Sequence, residues 1–91
     1  MYEFEWDITK AESNVTKHGV SFDEAKTVFG DFGLICASDP DHSEYEAREI
    51  AIGYSSQGRL LTVCFTERGE RIRIISARRS TNPERKRYGD D

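Results

Sequence analysis

The sequence predicts an α+β domain with a four-stranded, mainly antiparallel sheet, two N-terminal helices packed on it and a short C-terminal helix. Two segments with helix-capping signals come first, and four strand-like runs then follow one another, joined by short polar segments. Consecutive strands joined by short turns pair antiparallel. With 91 residues, 36% of them hydrophobic, the chain can build one modest core. We therefore expect a single domain over residues 1–91.

The N-terminal segment predicts a short edge strand followed by a helix. Aromatic and acidic residues alternate over residues 2–6, as in a strand with one apolar face. Asp7 is placed to cap a helix that runs to about His18, and Gly19 follows as the usual residue after a helix. Spacings of three and four predict a buried face of Ile8, Ala11, Val15 and His18. A neighbouring polar face holds Lys10, Asn14 and Lys17.

A second helix is predicted to begin at Ser21. Ser21 and Glu24 form the S-x-x-E pattern of a capping box, in which the serine hydroxyl accepts from the amide three residues on. We expect this helix to end at Gly30. Its buried side is predicted to hold Phe22, Ala25, Val28 and Phe29.

Four strands are predicted over residues 32–37, 47–54, 60–66 and 71–77. The last two form a hairpin whose turn contains Gly69, where a positive φ is expected. Ile72 and Ile74 share one face of the final strand, and Arg71 and Arg73 share the other. This strand therefore presents isoleucines to the core and arginines to the opposite side of the sheet.

The chain closes with a short predicted helix. Asn82 is the expected N-cap, Pro83 suits the first helical position, and Glu84 suits the positive end of the helix. The basic residues Arg85, Lys86 and Arg87 follow in its second half, where cations are favourable.

Composition argues against several classes of protein. No apolar run approaches the roughly 18 residues of a membrane-spanning helix, and the acidic, aromatic N-terminus is unlike a signal peptide. Cys36 and Cys64 lie in apolar, strand-like runs. This favours two buried free thiols in a cytosolic protein over a disulfide.

Charge is distributed unevenly along the chain. Residues 1–67 carry 5 basic and 13 acidic side chains, whereas residues 68–91 carry 8 basic and 4 acidic ones. The acidic part argues against a non-specific nucleic-acid binder. The basic part suits contact with phosphates, and it is equally compatible with a solvated surface that carries internal ion pairs.

Five arginines form the strongest candidate functional group: Arg48, Arg71, Arg73, Arg78 and Arg85. Cleavage of a phosphodiester requires positive charge where the phosphate oxygens become more negative. Arginine stays protonated and can hold two such oxygens at once. The alternative is a solvated sheet face whose arginines pair with nearby acidic residues, Glu49, Glu67 and Glu70.

Lys17, His18 and Tyr88 each have a functional and a structural interpretation. Histidine transfers protons readily near pH 7, but a cation at a helix C-terminus is also simply stabilising. The Tyr88 hydroxyl can orient a phosphate, and its ring can equally pack the terminal helix on the sheet.

A possible metal site lies in the acidic segment that contains Asp39, Asp41, His42 and Glu44. The spacing of these residues matches no calcium loop and no zinc motif. We therefore favour a solvated acidic loop and expect no metal and no other cofactor.

Three patterns occur in order along the chain: W-D-x-x-K at residues 6–10, N-x-x-K-H-G-V-S-F at residues 14–22 and R-I-R-I-I-S-A-R at residues 71–78. Together they resemble the BrnT toxin family of bacterial type II toxin–antitoxin modules, over residues 4–88. The resemblance implies a RelE-like ribonuclease that cuts RNA without a metal and stalls translation. It also implies a BrnA antitoxin, a ribbon-helix-helix protein encoded beside the toxin, through which alone the complex meets operator DNA.

The resemblance assigns catalysis to Lys17, His18, Arg71, Arg73, Arg78 and Tyr88. RNA binding is expected from Arg48, Arg79 and Arg85. In this hypothesis His18 or Lys17 handles the proton of a 2′-hydroxyl that attacks the neighbouring phosphorus, which leaves a 2′,3′-cyclic phosphate. The alternative is a non-catalytic module that binds protein or RNA through the same basic face.

Overall fold

The computed structural model describes residues 2–39 and 46–90. Its strands are β1 (Glu3–Glu5), β2 (Ile35–Ser38), β3 (Arg48–Tyr54), β4 (Leu60–Arg68) and β5 (Arg71–Arg79). Its helices are α1 (Ile8–His18), α2 (Phe22–Ala25) and α3 (Asn82–Tyr88), with a 3₁₀ helix (Lys26–Gly30) directly after α2. The predicted α+β class is confirmed.

The sheet has five strands in the order β1-β5-β4-β3-β2. Strands β2 to β5 pair antiparallel as predicted, but β1 adds to the edge of β5 in parallel, with Glu5 beside Arg73. The predicted four-stranded sheet is therefore wrong in strand number, because the N-terminal strand joins the same sheet and makes it mixed. Its apolar side holds it there: the Phe4 and Phe29 ring centroids lie 5.4 Å apart.

The hydrophobic core lies between one face of the sheet and the helical layer. The helical layer contributes the buried residues Val20, Phe22, Ala25 and Val28. The sheet contributes Ala51, Leu61, Val63, Phe65, Ile72, Ile74 and Ala77. We call this side of the sheet the core face, and the opposite side, which carries Arg73, the open face.

Asn14 joins α1 to the free edge of β5. The predicted buried face of this helix is therefore wrong. Ile8 and Val15 are 71% and 49% exposed, whereas Asn14, expected on the polar side, is 5% exposed. Asn14 Nδ2 donates to the carbonyls of Ala77 and Val20 at 2.8 and 2.9 Å, and Asn14 Oδ1 accepts from the Ala77 amide at 3.1 Å. The side chain thus pairs with the strand edge that β1 leaves open. This position explains why apolar residues of α1 remain in solvent.

The helix N-termini follow the predicted signals with one exception. Asp7 and Ser21 each accept a hydrogen bond from the amide three residues on, at 3.0 Å, as predicted. The N-cap of α3 is Thr81 and not Asn82. The Glu84 amide donates to the Thr81 hydroxyl at 3.4 Å, and the Thr81 amide donates to the Glu84 carboxylate at 2.8 Å. This reciprocal capping box moves the start of the helix back by one residue.

The second predicted helix is shorter than expected, and the following strand starts later. The α-helical part spans four residues before the 3₁₀ helix continues to Gly30. The Thr27 hydroxyl donates to the Glu24 carbonyl at 2.6 Å, and this local bond favours the tighter turn. The strand predicted over residues 32–37 begins only at Ile35, since residues 32 and 33 form a turn.

Both cysteines are free thiols, as predicted. Cys36 is exposed and Cys64 is half-buried, so the predicted burial is wrong for Cys36 and holds only in part for Cys64. Cys36 lies in β2, an edge strand of the sheet. None of the helices in the described part of the chain is long and apolar enough to cross a membrane.

Candidate functional site

A β-bulge in β5 determines which arginines share the open face. Five positions separate Arg73 from Arg78, an odd number that would place them on opposite faces of a regular strand. The register with β4 shifts by one residue at Ile75. As a result Arg73 lies beside Thr66 and Arg78 beside Thr62, and both arginines belong to the open face.

Carboxylates of β1 hold the first two arginines of β5. Arg73 Nη1 donates to Glu5 Oε2 at 2.8 Å. Arg71 lies 3.6 Å from both Glu3 and Glu5. The hydrogen bond from Arg73 holds the pKa of Glu5 below its usual range. The parallel register of β1 and β5 thus gives each of these arginines an acidic neighbour.

Glu84 binds Arg78 through two nitrogens, whereas Glu5 binds Arg73 through one. Arg78 Nη1 and Nη2 donate to the two oxygens of Glu84 at 2.7 and 2.8 Å. Glu84 also accepts from the Thr62 hydroxyl at 3.0 Å and from the Thr81 amide. The hydrogen bonds from Arg78 lead the causes that lower the pKa of Glu84 to about 2. These hydrogen bonds hold α3 against one end of the open face, and Thr62 is buried at that end.

Tyr88 anchors the C-terminal end of α3. Its hydroxyl donates to Asp31 Oδ2 at 2.5 Å, and its ring meets the Tyr54 ring edge-on at 5.4 Å between centroids. The hydrogen bond to Asp31 raises the pKa of Tyr88 to about 12. A Cβ on Gly33 would lie 2.7 Å from the Tyr88 oxygen, so a larger residue there would displace the Tyr88 hydroxyl. Both interpretations of Tyr88 stay open, but the structure gives its hydroxyl a partner within the fold.

Lys17 and His18 lie at the end of α1, beside a groove of about 160 Å³ between this helix and the free edge of β5. The groove is lined by Lys10, Ser13, Asn14, Lys17, His18, Ile75 and Ser76. Ser76 lies between Arg73 and Arg78 along β5, about 7–10 Å from each at 3.4 Å per residue. The structure therefore brings Lys17, His18, Arg73 and Arg78 around one stretch of strand.

Arg48 lies apart from this group. It pairs with Thr66 of β4, and Thr66 in turn pairs with Arg73. Since β4 separates β3 from β5, Arg48 is two strands from Arg73, a distance of about 10 Å. Arg48 still belongs to the open face.

The structure separates Arg79 from the open-face arginines and gives Arg85 an acidic partner at the end of α3. Arg79 follows Arg78 in an extended strand and so points to the core-face side. There it contributes weakly, behind the hydrogen bonds from Arg59, to the lowered pKa of Glu24. Arg85 lies on α3, where Nη2 is 2.9 Å from Asp90 Oδ2.

Four residues that matter to this region were not singled out from the sequence as site residues. Glu5 and Glu84 hold the arginines of β5, Asn14 fixes α1 to the strand edge, and Lys10 lines the groove. Lys10 had one available signal, its place in the W-D-x-x-K pattern. The pairings of the glutamates depend on contacts over 68 and 6 residues of sequence separation and have no local signature.

The possible metal ligands Asp41, His42 and Glu44 lie outside the described residues. Within residues 2–39 and 46–90 no group of three or more histidine, cysteine or acidic side chains is placed to hold a metal ion.

The model of one protein family matches residues 6–84, and its description is the ribonuclease toxin BrnT of type II toxin–antitoxin systems. The match covers most of the chain. The chain belongs to the BrnT family. The resemblance stated from the three sequence patterns is therefore confirmed.

A solved structure gives the same fold. The crystal structure of the ribonuclease toxin BrnT from Brucella abortus superposes with a TM-score of 0.64 at 22% sequence identity, covering 90% of this chain and all of that one. At this identity the likeness concerns the arrangement of helices and strands. No curated protein sequence matches the chain.

Proposed function

We propose that this BrnT-family chain is an endoribonuclease that needs no metal ion and acts as the toxin of a type II toxin–antitoxin module. The observation that carries the proposal is the family match over residues 6–84. The geometry supports it, since Lys17 and His18 of α1 face the same stretch of β5 that carries Arg73 and Arg78. Cations from two elements suit a bound phosphodiester.

Arg73 is the best-placed arginine for charge stabilisation at the phosphate. Its side chain is 29% exposed, and only Nη1 is used, in the bond to Glu5. Among the described residues Nε and Nη2 have no acceptor, so two of its donor groups remain for phosphate oxygens. Arg78 differs, because both of its terminal nitrogens bind Glu84. We assign Arg73 the oxyanion role, with Arg71 beside it.

The proposed reaction starts at the 2′-hydroxyl of RNA. His18 or Lys17 accepts the proton of this hydroxyl, and its oxygen forms a bond to the adjacent phosphorus. The bond from phosphorus to the 5′-oxygen of the next nucleotide breaks, and that oxygen takes up a proton. The products are a 2′,3′-cyclic phosphate and a new 5′-hydroxyl. Arg78 and Tyr88, both tied to acidic partners, would shape the end of the site and position the strand.

In the cell this activity would stop translation by removing RNA. We further propose that the toxin acts in the cytoplasm and is neutralised by a BrnA-type ribbon-helix-helix antitoxin. That partner would carry any contact with operator DNA, since residues 1–67 of the toxin are acidic.

One observation favours a second candidate, a non-catalytic module that binds RNA or protein. Arg71, Arg73 and Arg78 all have carboxylate partners, as expected for a solvated face with internal ion pairs. Such a face can bind a polyanion without turning it over.

A cleavage assay on matched substrates separates the two candidates. The purified protein is incubated with an RNA oligonucleotide and with the same sequence as DNA, each with and without EDTA. We expect RNA to be cut to fragments that end in a 2′,3′-cyclic phosphate, with DNA intact. Intact RNA, together with normal growth at high soluble expression without the antitoxin, would support the binding module. Cutting of both substrates, or loss of cutting in EDTA, would contradict the proposed mechanism.

A further inference from the structure

The groove between α1 and the edge of β5 has the composition of an anion site. Its ionisable lining residues are Lys10, Lys17 and His18, and Ser13 and Ser76 add hydroxyl groups. None of the described acidic side chains lines it. Ammonium and hydroxyl groups are donors that phosphate oxygens accept from.

The lysines of the groove differ from the arginines of β5 in their partners. Within the part of the chain that the structure describes, the side chains of Lys10 and Lys17 have no hydrogen bond and no ion pair. Arg71, Arg73 and Arg78 each meet a carboxylate within 3.6 Å. Among residues 2–39 and 46–90, the positive charge of the groove therefore has no ion-pair partner.

Helix geometry fixes the lysines along one line. Lys10, Asn14 and Lys17 are spaced by four and three residues and share a face of α1. Asn14 binds the Ala77 backbone, which turns this face toward the strand. The two lysines flank Asn14 and lie about 10 Å apart along the helix axis.

The groove opens onto the open face at Ser76. Ser76 belongs to β5 between Arg73 and Arg78. An RNA strand bound at Arg73 therefore reaches the groove within about 10 Å. Ile75, half-buried at the bulge, gives the groove an apolar floor against which a ribose or base can lie.

We propose that this groove binds a backbone phosphate of the RNA strand next to the scissile one, with Lys10 as its principal cation. The proposal rests on the proposed function for its substrate class. It adds Lys10 as a binding residue outside the catalytic set. It also gives the path of the RNA strand, from Arg73 along β5 toward α1. Because the contact is to a phosphate, it is independent of base sequence.

Binding of a nuclease-resistant oligonucleotide tests the subsite apart from catalysis. A fully 2′-O-methylated RNA oligonucleotide is titrated with the parent protein, Lys10→Ala and Lys10→Arg at several salt concentrations. The control is Lys26→Ala, which removes the same charge from the 3₁₀ helix on the core-face side. We expect Lys10→Ala to bind about tenfold more weakly at low salt. We also expect the slope of log K against log salt to become shallower by about 0.7, the loss of one phosphate contact on a single strand.

The controls keep this outcome distinct from failure of the enzyme. Lys10→Arg should restore most of the affinity, and Lys26→Ala should keep the parental slope. All variants should melt at the parental temperature, since both lysine side chains are substantially exposed. If the parent binds with a Lys10-dependent slope yet cuts no RNA, the subsite stands and the proposed function fails. If the parent cuts RNA while Lys10→Ala keeps the parental affinity and slope, or if the parent does not bind the oligonucleotide, the subsite is overturned.

Discussion

The two halves of β5 carry the same residue type in different surroundings. At the Arg78 end, α3 covers the open face and Glu84 takes both terminal nitrogens of the arginine. At the Arg73 end, the arginine side chain is 29% exposed and Glu5 takes one of its nitrogens. The bulge at Ile75 lies between the two halves. The comparison teaches that an arginine on a strand face cannot be assigned to function by its position alone, because its partners decide how many donors remain.

The largest expected effect tests whether the bulge separates core from surface. Ile74 is 1% exposed in the core, whereas the next residue, Ile75, is half-buried at the bulge. Ile74→Ala should lower the free energy of unfolding by about 3 kcal/mol, as truncations in a packed core do. Ile75→Ala, the matched control, should cost about 1 kcal/mol or less. Urea unfolding of both variants measures the difference, and equal losses would contradict the register assigned to β5.

The second prediction concerns the Arg78 end of β5. Because the pKa of Glu84 is depressed from 4.5 to about 2 in the folded state, its carboxylate stabilises the fold above pH 4.5. That stabilisation is lost as the pH falls toward 2. The shift corresponds to about 3 kcal/mol, and because Arg78 is 42% exposed we expect about 2 kcal/mol to be measured.

Glu84→Gln should therefore destabilise the protein by about 2 kcal/mol at pH 7, with the deficit shrinking toward zero near pH 2. Unfolding midpoints measured across this pH range provide the test. Glu70→Gln, at an exposed position in the β4–β5 turn, is the control and should be neutral. A deficit that does not change with pH would mean that Glu84 acts through packing and not through its charge.

The third prediction concerns the edge of β5 that Asn14 binds. Asn14→Ala leaves the Ala77 amide and carbonyl and the Val20 carbonyl without their partner in a buried place. We expect a loss of about 2 kcal/mol and faster hydrogen exchange at the Ala77 amide. Ser13→Ala, on the exposed side of the same helix turn, should change stability by no more than about 0.5 kcal/mol. Unchanged exchange at Ala77 would show that α1 does not close this edge.

Several local features were predicted correctly from the sequence, although the N-cap of α3 was placed one residue too late. Asp7 and Ser21 cap their helices, Gly69 has a positive φ of 61°, and Ile72 and Ile74 face the core. Each depends on residues within a few positions of one another, where propensity and periodicity act directly.

Features that depend on distant partners were missed. The parallel pairing of β1 with β5 joins residues 68 positions apart, and nothing local selects a parallel partner. Asn14 was placed on the polar side of α1, because the strand edge that it satisfies is 63 positions away. The candidate site was predicted as one basic patch, and the sequence held no sign that Glu5, Glu84 and Asp31 would engage Arg73, Arg78 and Tyr88.

We propose that Arg73 serves the reaction and Arg78 the fold, and one paired measurement on Arg73→Ala and Arg78→Ala tests this proposal. Thermal melts and RNA cleavage rates are recorded for both variants, in EDTA. Arg73→Ala should lose at most about 1 kcal/mol, since its ion pair is partly solvated, yet cleave about a hundredfold or more slowly. Arg78→Ala should lose about 2 kcal/mol by leaving Glu84, 15% exposed, without its partner. Cleavage by Arg73→Ala at the parental rate, or a melt as low as that of Ile74→Ala, would contradict the account.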